Sequence, residues 1–179
     1  GGNITGSAVL NAVDASLERL NTDYIDVYQL HWPNRTTAHF GKHWPGATDP
    51  RQVDRSAEVA GMRDILTGLK TALDSGKIRH WGLSDDSPWG IHTFLKLCEE
   101  MNIPRPLSIQ NEFSLPHPKD WPYLIEMCEL EDIAYLPWSP LATGILSGKY
   151  LNGQIPEGSR WTYSQRNGLY RNTPQTHAA

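Results

Sequence analysis

The chain has 179 residues, of which 39% are hydrophobic and 20% are charged, which is typical of a folded globular protein and excludes a fibrous repeat or a largely disordered chain. Its formal net charge of -4 and isoelectric point near 6.0 give no excess of positive potential, so we expect no nucleic-acid partner. No apolar run approaches the roughly 20 residues needed to cross a bilayer, which argues against a transmembrane segment.

The first predicted elements are an amphipathic helix and a strand. Gly6 and Ser7 are placed to begin the helix, and its apolar residues recur at helical spacing. They are Val9, Leu10, Val13, Leu17 and Leu20. A β-favouring segment over residues 24–31 predicts a strand that ends at Trp32 and Pro33. Residues 34–60 are rich in Pro, Gly, His and Thr without periodicity, so we predict a long loop there.

Three further pairs of a helix and a strand follow. A second helix carries apolar residues from Met62 to Leu73, with Gly76 placed to stop it, and a short strand is predicted over 78–84. Ser87 and Pro88 open a third helix, because proline is favoured at the first helical position. The remaining elements are a strand at 107–110, a helix over roughly 120–130 and a strand at 133–138.

This alternation with short connections indicates parallel strands joined by right-handed crossovers, in either an open doubly wound sheet or a (β/α)8 barrel. No glycine-rich phosphate fingerprint follows any strand, so the barrel is favoured. Polar or aromatic residues close every predicted strand. They are His31, Ser84 with Asp85, Gln110 with Asn111, and Trp138 with Ser139. The carboxyl ends of barrel strands meet at one mouth, where active sites lie, so we expect a site there.

Both cysteines, Cys98 and Cys128, fall in apolar helical patterns, where a thiol behaves as a small core residue. We therefore expect no disulfide and a reducing compartment. The predicted location is the cytoplasm. An organelle is the alternative, because the sequence opens with Gly1 rather than methionine, as it would after removal of a targeting segment.

Four segments resemble, in the same order, the strand motifs of the aldo-keto reductase family. They are residues 24–33, 76–84, 108–111 and 137–141, which resemble the fourth, fifth, sixth and seventh barrel strands. Residues 144–150 are most similar to the bacterial-type and potassium-channel-β-like branch. The resemblance implies an α/β fold, a partial (β/α)8 TIM barrel of about four βα units over residues 1–160. Residues 161–179 have little apolar content, so we predict a loop or docking tail there.

The same resemblance implies NADPH-dependent reduction of an aldehyde or ketone, in which the cofactor carries the redox chemistry. His31 matches the family's histidine, which hydrogen-bonds the carbonyl oxygen of the substrate and orients it. The predicted cofactor contacts are Ser84, Asp85 and Gln110 on the nicotinamide carboxamide, Trp138 on its ring, and Ser139, Leu141, Gly144 and Leu146 around the pyrophosphate. Asp85 replaces the family's usual asparagine, and a carboxylate cannot donate to the carboxamide oxygen.

Without the resemblance, the same residues have simpler interpretations. A histidine at a strand end is commonly a solvated or structural residue, and a tryptophan is commonly a buried anchor. Ser84 and Gln110 could serve only to satisfy backbone groups at the barrel mouth. His39 and His43 have the spacing of a helical metal pair, but the glycines and proline around them disfavour a helix, so we predict no metal site.

Two functional hypotheses follow, because the sequence contains four predicted strands and this type of barrel closes with eight. The family's catalytic aspartate, tyrosine and lysine lie before the matched segment. In the first hypothesis, flanking segments complete a reductase that acts on a small-molecule carbonyl substrate. In the second, the chain is a catalytically inactive structural subunit whose open strand edges pack against other protein subunits. Under both, the chain alone is expected to be inactive.

Overall fold

The computed structural model describes residues 3–35, 37 and 49–163 of the chain. Its helices are α1 (Gly6–Leu20), α2 (Arg55–Asp74), α3 (Pro88–Met101), α4 (Tyr123–Leu130) and α5 (Arg160–Tyr163). Its strands are β1 (Ile25–Gln29), β2 (Ile78–Ser84), β3 (Ser108–Glu112) and β4 (Ala134–Trp138). Short 3-10 segments cover Pro50–Gln52, Ala142–Ser147 and Leu151–Gly153.

Polar side chains set the starts of the first three helices. Thr5, Asp54 and Ser87 each accept a hydrogen bond from an amide of the first helical turn, at distances from 2.9 to 3.4 Å. The predicted start of α3 is therefore confirmed. Two details differ from the prediction. α1 begins at Gly6, but its cap is Thr5 rather than Gly6 or Ser7, and α2 begins at Arg55, inside the loop predicted over 34–60, because the Asp54 carboxylate caps it.

The four strands form one sheet in the order β1-β2-β3-β4, and every neighbouring pair is parallel. The predicted parallel α/β fold is thus confirmed, and the helices between consecutive strands act as crossovers. Tyr28 pairs with Trp81, and Leu83 pairs with Ile109, so these four side chains lie on one face of the sheet. That face packs against the helices.

Trp81 is the largest of the fully buried side chains in the core between the sheet and the helices. Its indole N–H donates to the Pro104 carbonyl at 2.8 Å, and its ring lies edge-on to Phe94 with the centroids 5.7 Å apart. A close contact joins α1 to α2, since a Cβ at Gly68 would overlap the Gly6 carbonyl. Glycines are therefore required where these two helices meet.

The opposite face of the sheet, which carries Val27 and Leu136, is covered less completely. Val27 is 39% exposed and Leu136 is 40% exposed. Among the strands that the structure describes, β1 and β4 each pair on one side only. An unpaired strand edge can accept a further strand, and an exposed apolar face can pack against other apolar side chains.

The two cysteines lie in the core, and the lengths and polarity of the helices bear on whether any of them could span a membrane. Cys98 and Cys128 are both free and buried, and burial raises the pKa of the Cys98 thiol to about 12 and that of Cys128 to about 11. Both therefore stay protonated and unreactive near neutral pH. Within the described residues, every helix is too short or too polar to serve as a membrane span.

Candidate functional site

The parallel register brings the predicted site residues to the same edge of the sheet. Ser84 pairs directly with Gln110, and Trp138 pairs with Glu112, two residues further along β3. Gln29 pairs with Gly82. His31 follows Gln29 by two residues and Ser84 follows Gly82 by two residues, so His31 and Ser84 lie at the same height along the two neighbouring strands. The carboxyl ends of all four strands therefore lie at one edge of the sheet, and the site predicted there stays a prediction.

Ser84 and Gln110 are joined by a hydrogen bond. The Ser84 hydroxyl donates to the Gln110 carbonyl at 2.7 Å, and the same carbonyl accepts from the Asp85 amide at 3.1 Å. The simpler interpretation, in which Ser84 satisfies a backbone group, therefore describes part of its role. A hydroxyl that donates still has lone pairs, so Ser84 can also accept a hydrogen bond from a ligand.

Asp85 links β2 to β4 through its side chain. The Trp138 indole N–H donates to Asp85 Oδ1 at 3.2 Å, while the Thr37 hydroxyl donates to the Asp85 carbonyl at 3.1 Å. The Asp85 backbone has a positive φ of 51°, a conformation that aspartate and asparagine adopt more readily than most residues. This conformation places a buried carboxylate against the edge of the indole and fixes the ring.

His31 lies just beyond β1 on the exposed side of the site. Its imidazole stacks on the Trp32 ring, with the centroids 4.2 Å apart and the planes 27° from parallel. This stacking orients an accessible imidazole near the strand ends. His31 is exposed, whereas Ser84 and Asp85 are buried and Gln110 and Trp138 are half-buried.

The predicted pyrophosphate residues share one tight loop after β4. Three consecutive residues, Ala142 to Gly144, have positive φ values of 49°, 58° and 100°. The Thr143 amide donates to the Ser139 hydroxyl at 3.0 Å, and the Leu146 amide donates to the Leu141 carbonyl at 3.2 Å. The loop is therefore held in one compact conformation by its own hydrogen bonds.

Lys149 lies beside this loop, and the sequence interpretation did not single it out. Its ammonium lies 5.2 Å from the centroid of the Tyr150 ring, and its side chain passes beside Gly144. Tyr150 in turn stacks on Trp161, with the centroids 3.8 Å apart. In the sequence, Lys149 follows Gly144 by five residues, but this spacing alone does not predict that the lysine side chain lies beside the glycine.

Behind the strand ends lies a row of buried and partly buried polar side chains, which we name the polar belt and which sequence reasoning missed. It consists of Arg35, Asp86, Asn111, Asp120 and Tyr135. Arg35 pairs with the Asp86 carboxylate, and Asn111 joins the Asp86 carbonyl to Asp120. The Tyr135 hydroxyl donates to Asp120 Oδ2 at 2.8 Å.

Two members of the belt, Asp86 and Tyr135, have raised pKa values. Burial raises the pKa of Asp86, and this rise is opposed by the Arg35 guanidinium and by the Ser87 amide, which donates to Asp86 Oδ1 at 2.7 Å. Burial and the neighbouring Asp120 carboxylate raise the pKa of Tyr135 above its usual range, so its phenol stays protonated. The Tyr135 phenol therefore remains a hydrogen-bond donor to Asp120 near neutral pH.

Some predictions fall on residues that the structure does not describe. His39 and His43 lie outside the described residues, as do 164–179, which form most of the predicted tail. Across residues 3–35, 37 and 49–163, no group of three or more His, Cys, Asp or Glu side chains is arranged to hold a metal ion. The predicted division after residue 160 stays a prediction.

The chain was compared with known families, proteins and structures. The model of the Aldo/keto reductase family matches residues 2–179. An aldo-keto reductase of Babesia bovis is 41% identical over 157 residues, covering 84% of this chain and 54% of that protein. Protein tas of Escherichia coli (strain K12) is 39% identical over 158 residues, covering 88% of this chain and 44% of that protein.

A crystal structure of an aldo-keto reductase from Klebsiella pneumoniae in complex with NADPH has a similar fold. The match has a TM-score of 0.58 and 20% sequence identity, and it covers 78% of this chain and 40% of that one. The chain spans about half the length of the relatives that it matches. The partial barrel predicted from the strand motifs is confirmed by this likeness, and the chain belongs to the aldo/keto reductase family.

Proposed function

We propose that this chain forms the nicotinamide-binding part of an NADPH-dependent aldo-keto reductase, with a small aldehyde or ketone as substrate. The observation that carries the proposal is the hydrogen-bonded cluster of Ser84, Asp85, Gln110 and Trp138. Residues from three strand ends meet there, although Ser84 and Gln110 are 26 residues apart and Asp85 and Trp138 are 53 residues apart. This cluster offers polar groups beside an aromatic ring, which is what a nicotinamide requires.

The donors and acceptors of the cluster fit a carboxamide. The Ser84 hydroxyl can accept from the carboxamide NH2, and so can the carboxylate of Asp85. The half-buried Gln110 side chain can donate from its own amide to the carboxamide oxygen. Trp138 would support the ring by stacking, with its indole held by Asp85 at 3.2 Å.

The loop after β4 would hold the cofactor's pyrophosphate. Ser139, Leu141, Gly144 and Leu146 supply its backbone, and several of its amides already donate within the loop. We therefore assign the attraction for the phosphate charge to Lys149, whose side chain passes beside Gly144.

His31 would act on the substrate rather than on the cofactor. A neutral imidazole can donate to the carbonyl oxygen, which orients the substrate and favours the charge that develops on that oxygen. Bound NADPH supplies the hydride. The chain spans about half the length of its relatives, so we propose that turnover requires residues from outside it.

Titration with NADPH tests the proposal through tryptophan fluorescence. Trp138 is one of seven tryptophans, so we expect partial quenching that saturates at micromolar NADPH. The Trp138→Phe variant should lose most of this quenching because the ring in contact with the nicotinamide no longer contributes. Absence of any response up to millimolar NADPH would overturn the cofactor assignment.

A second prediction concerns Asp85→Asn. The side-chain oxygen of asparagine can still accept from Trp138, while its NH2 group can donate to the carboxamide oxygen. We expect NADPH to bind about three- to tenfold more tightly, since a neutral hydrogen bond contributes about 1 kcal/mol. Calorimetric titration measures the change, and an unchanged or weaker affinity would show that the Asp85 carboxylate is already suited to the cofactor.

A structural role is the second candidate. It is favoured by the exposure of Val27 and Leu136 on the sheet face opposite the helices, and by the fact that β1 and β4, the two edges of the described sheet, each pair with one strand only. In this case the chain would be an inactive subunit held in an assembly with other proteins. A complex that lacks NADPH binding but dissociates when Val27 and Leu136 are replaced by glutamate would support this role. An NADPH-binding protein unaffected by those replacements would exclude it.

A further inference from the structure

Asn111 is almost fully buried, at 1% exposed, on β3 immediately after Gln110. Its side-chain nitrogen donates to the Asp86 carbonyl at 3.1 Å and to Asp120 Oδ2 at 2.8 Å. Both protons of the amide are thus used, one on each side. The side-chain oxygen of Asn111 is buried with no hydrogen-bond partner in the described part of the chain, so the two donated bonds are what offset the burial of this amide.

The bond to Asp86 acts on the turn that carries Asp85. This turn has a positive φ of 51° at Asp85, which is unfavourable for a residue with a side chain unless its surroundings fix it. Gln110, Thr37 and Asn111 provide three such restraints: the Gln110 carbonyl accepts from the Asp85 amide, the Thr37 hydroxyl donates to the Asp85 carbonyl, and Asn111 donates to the Asp86 carbonyl. Of the three, the Asn111 bond connects the turn to the polar belt.

We propose that Asn111 is a positioning residue that holds the Asp85 turn so that its carboxylate meets the Trp138 indole. The Asn111 amide donates to the Asp86 carbonyl and to Asp120, so its action on the Asp85 turn runs through the backbone of Asp86. The part of the proposal that concerns NADPH rests on the proposed function, whereas the part that concerns the indole does not.

The alternative is that Asn111 serves only the stability of the belt. Asp120 accepts from both Asn111 and Tyr135, each at 2.8 Å, so removing either donor weakens the belt at the same carboxylate. Tyr135 makes no bond to Asp86 in this network. It also lies on β4, the strand that carries Trp138, so Tyr135→Phe is a strict control. The phenyl ring would keep its edge-on contact with Phe113, at a centroid distance of 5.9 Å.

The experiment compares Asn111→Leu with Tyr135→Phe in the complete chain. The readout is the indole N–H resonance of Trp138 in a proton–nitrogen correlation spectrum, assigned by its loss in Trp138→Phe. Asn111→Leu is expected to move this resonance and to speed its exchange with solvent by about tenfold, which corresponds to a hydrogen bond weakened by about 1.4 kcal/mol. Tyr135→Phe should leave it in place, even where both variants lower the melting temperature equally.

NADPH affinity provides the second readout. Asn111→Leu should weaken binding about three- to tenfold, whereas Tyr135→Phe should change it less than twofold. Asn111→Ser removes the same bonds with a smaller side chain and is used if the leucine variant does not fold. An unmoved Trp138 resonance in a folded Asn111 variant would overturn the proposal, and so would an equal shift in Tyr135→Phe. If the wild-type chain does not bind NADPH, the proposed function fails, yet the indole resonance still decides the positioning role.

Discussion

Replacing Arg35 by methionine is expected to destabilise the protein by about 3–5 kcal/mol near neutral pH, since removing one partner of a buried ion pair leaves the other charge uncompensated. Arg35 and Asp86 have side chains that are 6% and 2% exposed. Arg35 also donates to the Ser87 hydroxyl at 3.0 Å and lies 5.0 Å from the centroid of the Trp89 ring. Methionine keeps the aliphatic length but removes every one of these polar contacts.

The loss of stability in Arg35→Met should increase as the pH rises from about 4 to neutral. Burial raises the pKa of Asp86 from its unfolded value of 3.8, and Arg35 opposes the rise, so the pKa should rise further in Arg35→Met. An acid whose folded pKa is raised binds more protons in the folded state than in the unfolded state. Its contribution to stability is therefore lost as pH rises from the unfolded pKa towards the folded one. The destabilisation should be small near pH 4 and largest near neutral pH.

Urea unfolding of both proteins, at about pH 4 and near neutral pH, measures this difference. Arg51→Met is the control, because Arg51 also pairs with an aspartate, at 2.9 Å, but its side chain is 89% exposed. Exposed pairs contribute little, so this variant should match the wild type at each pH. If Arg35→Met is as stable as Arg51→Met, the prediction is wrong, and the buried ion pair between Arg35 and Asp86 does not stabilise the connection between β2 and α3.

The elements of the fold could be predicted wherever the signal was local. The strand over 78–84 and the helix opened by Ser87 and Pro88 agree with β2 and α3, because strand-favouring residues and a proline cap act over a few residues. The start of α2 was predicted too late, since its first turn follows Asp54 and carries few apolar residues. A periodic apolar pattern cannot reveal a turn that faces solvent.

The site residues were predicted from the family resemblance, but their contacts were not. Asp85 and Trp138 are 53 residues apart, and no local pattern indicates that a carboxylate will meet an indole over that separation. The polar belt was missed for a related reason. Arg35, Asn111 and Tyr135 occur singly among other residues, and each forms its hydrogen bond with an aspartate from another segment of the chain.

The replacement Trp81→Ala should destabilise the chain by about 3–5 kcal/mol, because it opens a large cavity in the core. Trp81 is 0% exposed, packs against Phe94 and donates to the Pro104 carbonyl. Trp81→Phe keeps a ring but loses the donor, so its effect should be smaller by roughly half. Chemical unfolding followed by circular dichroism measures both changes, with Leu130→Ala as the control at a residue that is 80% exposed.

The Trp81 result also discriminates between the two faces of the sheet. Trp81 belongs to the face covered by the helices, whereas Val27 and Leu136 lie on the incompletely covered face. A large loss in Trp81→Ala would place the stability of the chain in its own core between sheet and helices. A loss no greater than that of Leu130→Ala would contradict this view, because the chain would then owe its stability to contacts across the open face.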